Sequence, residues 1–106
     1  MYEMGMPTSV EVEKAVDTSE LFQLFQNYPN AFNSATTIGF VLVRSVYVTL
    51  RIHDLLGREI ATLVDAELPG GHHHVVWDAG ILPSGVYYCR LSTGEMTQTR
   101  TMMLVR

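Results

Sequence analysis

Residues 46–60 read Val46-Tyr47-Val48-Thr49-Leu50-Arg51-Ile52-His53-Asp54-Leu55-Leu56-Gly57-Arg58-Glu59-Ile60. Apolar Val46, Val48, Leu50 and Ile52 alternate with Tyr47, Thr49, Arg51 and His53, a period of two that puts one set of side chains on each face of a half-buried strand. Branched Val and Ile suit that extended backbone. Asp54 then opens a turn in which Gly57 can take positive φ, and residues 59–64 return as a second strand. The stretch predicts a β-hairpin.

Upstream, Ile38, Phe40 and Leu42 point one way in a strand over 36–42. Residues 21–25 carry two patterns, because Asp17 and Glu20 have capping-box spacing before Leu21, Leu24 and Phe25, whereas Phe22 and Leu24 alternate about Gln23. Tyr28-Pro29-Asn30 stops either pattern soon afterwards, which favours a short strand. Downstream, Pro69-Gly70-Gly71 breaks the chain before 72–77, where His73, Val75 and Trp77 share a face. Pro83-Ser84-Gly85 makes the next turn, and 86–92 and 98–105 are the last two strands, parted by a turn near Thr93-Gly94. Seven short strands without an intervening helix exclude parallel βαβ units. They predict an all-β, immunoglobulin-like antiparallel β-sandwich with Trp77 as its largest buried side chain.

The chain has 106 residues, 47% of them hydrophobic and 17% charged, enough for one compact core and too few for two. Its formal net charge of −4 lies wholly in residues 1–20, where Glu3, Glu11, Glu13, Asp17 and Glu20 face one base, Lys14. With Gly5, Pro7, Thr8 and Ser9 and no apolar period, 1–20 reads as a flexible acidic leader or linker, and 21–106 as the domain. The body balances its arginines with acids and shows no basic stripe, so nucleic acid is not an expected partner. No apolar run approaches a membrane span, and 1–10 lacks the pattern of a secretory signal peptide, so no membrane insertion is expected. Cys89 is the sole cysteine and has no internal disulfide partner.

Chemistry finds little to build on. In the run His72-His73-His74 only two histidines can share a strand face, too few for a usual zinc site, so neither metal nor cofactor is expected. His53, Asp54 and Ser84 could be assembled into a hydrolase triad, but no G-x-S-x-G elbow is present. Glu59, Asp65, Glu67 and Asp78 are dispersed, and Gly70-Gly71 lacks the lysine and helix of a phosphate loop. No catalytic residue is nominated.

The punctuation is more distinctive. Phe22-Gln23-Leu24, the run Gln26-Asn27-Tyr28-Pro29-Asn30-Ala31-Phe32-Asn33, Ser34-Ala35-Thr36-Thr37-Ile38, Asp54-Leu55-Leu56-Gly57-Arg58, Gly71 with His73, Trp77-Asp78, Ser84-Gly85-Val86-Tyr87, and Thr99-Arg100 with Met102, Leu104 and Arg106 occur in that order. The series resembles the type A C-terminal sorting domains of the type IX (Por) secretion system. A more distant similarity, through Gly57-Arg58, Trp77-Asp78 and Gly85-Val86-Tyr87, runs to the immunoglobulin-like domain of flagellar-hook capping proteins. The resemblance spans 21–106.

It implies a non-catalytic module that addresses an exported passenger, after periplasmic entry by a separate signal peptide, to an outer-membrane translocon, with a surface sortase then removing the module and attaching the passenger at the cell surface. Arg100, Thr101, Met102, Leu104 and Arg106 would be the recognised residues, and Asp54, Gly57, Arg58, Trp77, Asp78, Gly85 and Tyr87 the structural motif. A terminal strand at a sheet edge could be extended by a partner strand. Ala31, Ser34 and Val43 stand where the family has proline, His53 where it has tyrosine, and Thr101 where it has lysine. Only twenty residues precede the domain, too few for a passenger enzyme, which motivates a second expectation: a free-standing binding or assembly module forming homo-oligomers through edge strands.

Overall fold

The structure, a computed structural model, describes residues 22–106. The acidic leader, with Asp17 and Glu20, lies outside the described residues, and residues 22–24 form the short strand read from Phe22 and Leu24 in place of the helical alternative. Eight strands follow in order: β1 (Phe22–Leu24), β2 (Ala31–Phe32), β3 (Ala35–Leu42), β4 (Val46–His53), β5 (Glu59–Leu68), β6 (Gly71–Asp78), β7 (Gly85–Ser92) and β8 (Thr97–Leu104). They form a three-stranded sheet, β1-β3-β6, packed on a five-stranded sheet, β2-β8-β7-β4-β5. This is the predicted sandwich, without a helix among the described residues, and the hairpin of residues 46–60 is its β4–β5 pair.

Alternation places the core as read. Phe22, Leu24, Ile38, Phe40, Leu42 and Trp77 from the smaller sheet meet Val48, Leu50, Ile52, Tyr87, Cys89, Leu91, Met102 and Leu104 from the larger. Each fully buried aliphatic or aromatic side chain contributes roughly 1.5–3 kcal/mol, which is what holds two sheets with no disulfide between them. Trp77 is 4% exposed and meets Phe32 and Tyr87 edge-on, with both centroid distances 5.7 Å. In that geometry the positive ring edge faces a negative ring face.

Two features depart from the sequence reading. The pair Ala31–Phe32 is an additional strand, and it joins β8 in parallel (Ala31 to Met103, Phe32 to Leu104) in an otherwise antiparallel fold. Two residues carry no readable period, and the pairing is long-range. Consequently β8 is not a free terminal edge along its whole length: its last residues are held between β7 and β2. The segment entering β2 is fixed by Asn27, a buried amide that donates to the Pro29 carbonyl (2.9 Å) and to Thr36 Oγ1 (3.0 Å), while Thr36 Oγ1 donates to the same Pro29 oxygen (2.7 Å).

Candidate functional site

Asp54 begins its turn by accepting, on Oδ1, the amide hydrogens of Leu56 (3.0 Å) and Arg58 (2.9 Å), and on Oδ2 the Arg58 Nε hydrogen (2.8 Å). Gly57 sits at φ +85°, where a Cβ would strain the backbone, and donates its amide to the Asp54 carbonyl at 3.0 Å. The Arg58 amide, followed by the Arg58 guanidinium and the Leu56 amide, holds the Asp54 carboxyl below the usual carboxylate range. Leu55 and Leu56 are left pointing into solvent.

A second loop, between β6 and β7, is organised by Asp78 and Tyr87. Asp78 Oδ1 accepts the Gly80 amide at 2.9 Å, and Leu82 donates its amide to the Ala79 carbonyl at 3.1 Å. The Tyr87 hydroxyl, at the start of β7, donates to the Pro83 carbonyl four residues back at 2.7 Å. That contact has the form of the tyrosine corner of immunoglobulin-like sandwiches, including a cysteine two residues on. Asp54, Arg58, Pro83 and Tyr87 line one shallow groove between the two loops.

The last residue closes this end. The Arg106 amide donates to Ser84 Oγ (2.8 Å), Nε to the Leu82 carbonyl (3.0 Å), Nη1 to the Asn33 carbonyl (2.9 Å) and Nη2 to the Gly80 carbonyl. A planar guanidinium suits this work, since its donors fan out in one fixed fork. Asp54, Gly57, Arg58, Trp77, Asp78, Gly85, Tyr87 and Arg106, dispersed over half the sequence, therefore meet at one pole of the sandwich.

The residues read as a recognition strand separate by parity. Met102 and Leu104 are core residues, 0% and 1% exposed, whereas Thr97, Thr99, Thr101, Met103 and Val105 face outward. Arg100 is half-buried, and its Nε donates to the Leu24 carbonyl at 3.0 Å. Gln98 accepts the Leu24 amide (2.8 Å) and donates to the Phe22 carbonyl (3.2 Å), and Gln26 Nε2 donates to the Thr101 carbonyl (2.7 Å). Side chains thus stitch β1 to β8 where no backbone ladder joins the sheets. Sequence reading missed Gln98 in this seam, although it shares parity with Arg100 and Met102 on an alternating strand.

The remaining candidates are dispersed. His72 and His74 lie exposed on one face of β6, while His73 stacks on Phe40 (centroids 5.3 Å) and reaches the Pro69 carbonyl at 2.8 Å. Among the described residues no three His, Cys, Asp or Glu side chains gather as metal ligands. Asp54 is engaged by its own turn and Ser84 Oγ by Arg106, and no hydrogen bond links either to His53. Among the described residues no helix is long and apolar enough to cross a membrane. Burial pushes the Cys89 thiol up to about 12.

Compared with known families, residues 26–105 match the family model described as the secretion system C-terminal sorting domain (Por secretion tail). No curated protein matches the chain.

Proposed function

This chain belongs to the family of secretion system C-terminal sorting domains, which target proteins to the type IX (Por) machinery, and on that premise we propose which of its surfaces is read. Members are non-catalytic, and they mark proteins that are secreted or displayed at the cell surface. The reading surface is the outward row Thr99, Thr101, Met103 and Val105 of the last strand together with the pole that Arg106 holds in place. Arg100, Met102 and Leu104 serve it from below: they anchor the strand to β1 and to the core, so that the odd-numbered residues stand in fixed register.

One observation carries this reading, namely that every motif residue and the chain's last arginine converge at the pole where β8 ends. A component of the translocon recognises the surface during passage from the periplasm across the outer membrane, and a surface sortase then separates domain from passenger. β1 starts beside Leu42, at the opposite pole, so a passenger attached upstream of Phe22 leaves the pole held by Arg106 clear.

The test replaces Thr99 and Thr101 together by Glu in a passenger fusion carrying residues 21–106 and a separate export signal peptide. Both residues are outward, so thermal stability should stay within about 0.5 kcal/mol of the parent. Export should fall at least tenfold. Undiminished export with an intact fold overturns this surface.

A further inference from the structure

Among the described residues the two open sheets of the sandwich have four edges, and three of them are closed to a new strand. β1 is stitched by Gln98 and Arg100, as described above. β2 is only two residues long. β5 bears Glu59, Asp65 and Glu67 and is interrupted by register shifts against β4 between Leu50 and Arg51 and between Ile52 and His53. Short length, inward-turned polar cover, acids and bulges are the usual guards against edge-to-edge pairing. The fourth edge, β6, is the least guarded, its one acid standing at its last position. It runs eight residues in unbroken register with β3, contains no proline, lysine or bulge, and carries one formal charge, Asp78.

The pattern of hydrogen bonds identifies what β6 offers. Thr37 exchanges backbone bonds with Tyr28, and the Gly39 carbonyl accepts from Phe25, so these odd residues of β3 turn toward β1. The even residues Thr36, Ile38, Phe40 and Leu42 therefore turn toward β6, where their partners are Trp77, Val75, His73 and Gly71. By the same alternation, the N–H and C=O groups of His72, His74, Val76 and Asp78 point away from β3. All four of these residues also carry exposed side chains, Val76 at 65%.

We propose that β6 pairs with the β6 of a second copy of this chain, antiparallel about a two-fold axis at Val75, joining two three-stranded sheets into one of six strands. Only even residues can exchange bonds across this edge, and with the axis at Val75 each finds an even partner: His72 faces Asp78 and His74 faces Val76, each pair occurring twice by symmetry. The register is self-complementary in hydrogen-bonding groups, because the strand's one carboxylate, an acceptor, meets an imidazole, which carries an N–H donor, on the same outer face. An axis at His74 would instead set that histidine against itself and leave Asp78 beyond the strand. The proposal does not rest on the sorting reading, since the ladder is the same whatever the translocon recognises.

Sedimentation of the full chain over a concentration series, up to about 1 mM, measures the association directly. The dimer mass should appear as concentration rises. Val76→Pro removes an outward amide without touching the β3–β6 ladder, and Val76→Lys places a guard charge on the edge; each should weaken association at least tenfold. Amide exchange supplies a second readout: at low concentration His72, His74 and Val76 exchange quickly while His73, Val75 and Trp77 are protected, and dimerisation protects the first set. A chain that stays monomeric throughout, a dimer undiminished in both variants, or a dimer whose His72, His74 and Val76 amides remain unprotected overturns the proposal. Whatever Val76→Pro does to folding, Val76→Lys still decides it.

Discussion

Nη1 of Arg106 donates to the carbonyl oxygen of Asn33 at 2.9 Å, joining residues 73 apart in sequence. The same guanidinium reaches Leu82 and Gly80, so one side chain at the end of the chain fastens the β2–β3 and β6–β7 loops together. Arg106 therefore contributes to the order of the pole by holding these two loops against each other.

Arg106→Ala should cost about 1 kcal/mol, since its hydrogen bonds are charge-assisted but exposed to solvent, and should lower the melting temperature by roughly 4–8 °C. Amide exchange at Leu82 and Val105 should quicken while β4 and β7 stay protected. Arg106→Lys should recover only part of this, because an ammonium lacks the planar fork. Calorimetry with exchange measured by NMR checks both.

Tyr87→Phe keeps the ring against Trp77 and removes only the hydrogen bond to Pro83, leaving that carbonyl without the partner it has here. A loss of about 1 kcal/mol is expected in urea unfolding. Trp77→Ala should cost about 3–5 kcal/mol, because it empties the space between Phe32 and Tyr87.

Asp54 has a lowered carboxyl pKa in the folded state, caused first by the Arg58 amide and then by its guanidinium. A depressed folded pKa means that its stabilisation is fully present above the unfolded value, near 3.8, and is lost as pH falls through the folded one. Stability of the parent should therefore drop across that acid window more steeply than that of Asp54→Asn. Parallel slopes in denaturant titrations at successive pH values would show that Asp54 does not contribute this linkage.

The Cys89 thiol, buried and raised to about 12, should resist thiol reagents at pH 8 in the native domain and react fully in denaturant. Labelling in native buffer should proceed no faster than opening of the sandwich. Rapid labelling would contradict its burial in the core opposite Ile52.

Legibility in the sequence followed the range of the interaction. Val46 to Ile52 announce their strand because alternation is local, and Gly57 and Pro83-Ser84-Gly85 announce turns because φ restrictions are local. Phe32 gave no such indication: its strand is two residues long, and its partner lies about seventy residues away. Arg106 was nominated by resemblance alone. Its acceptors are main-chain oxygens in two loops, which no sequence pattern encodes. The same alternation that places Ile52 inside also places Met102 and Leu104 inside, and this separates the residues that hold the last strand from those it displays.

The most direct test of the central claim is the export of a reporter enzyme that carries a Sec signal peptide and residues 21–106 at its C-terminus, in a bacterium with a working type IX machinery and in the same strain lacking it. Reporter activity should reach the cell surface or medium only where the machinery is present. Folded reporter held in the periplasm of both strains would contradict the account.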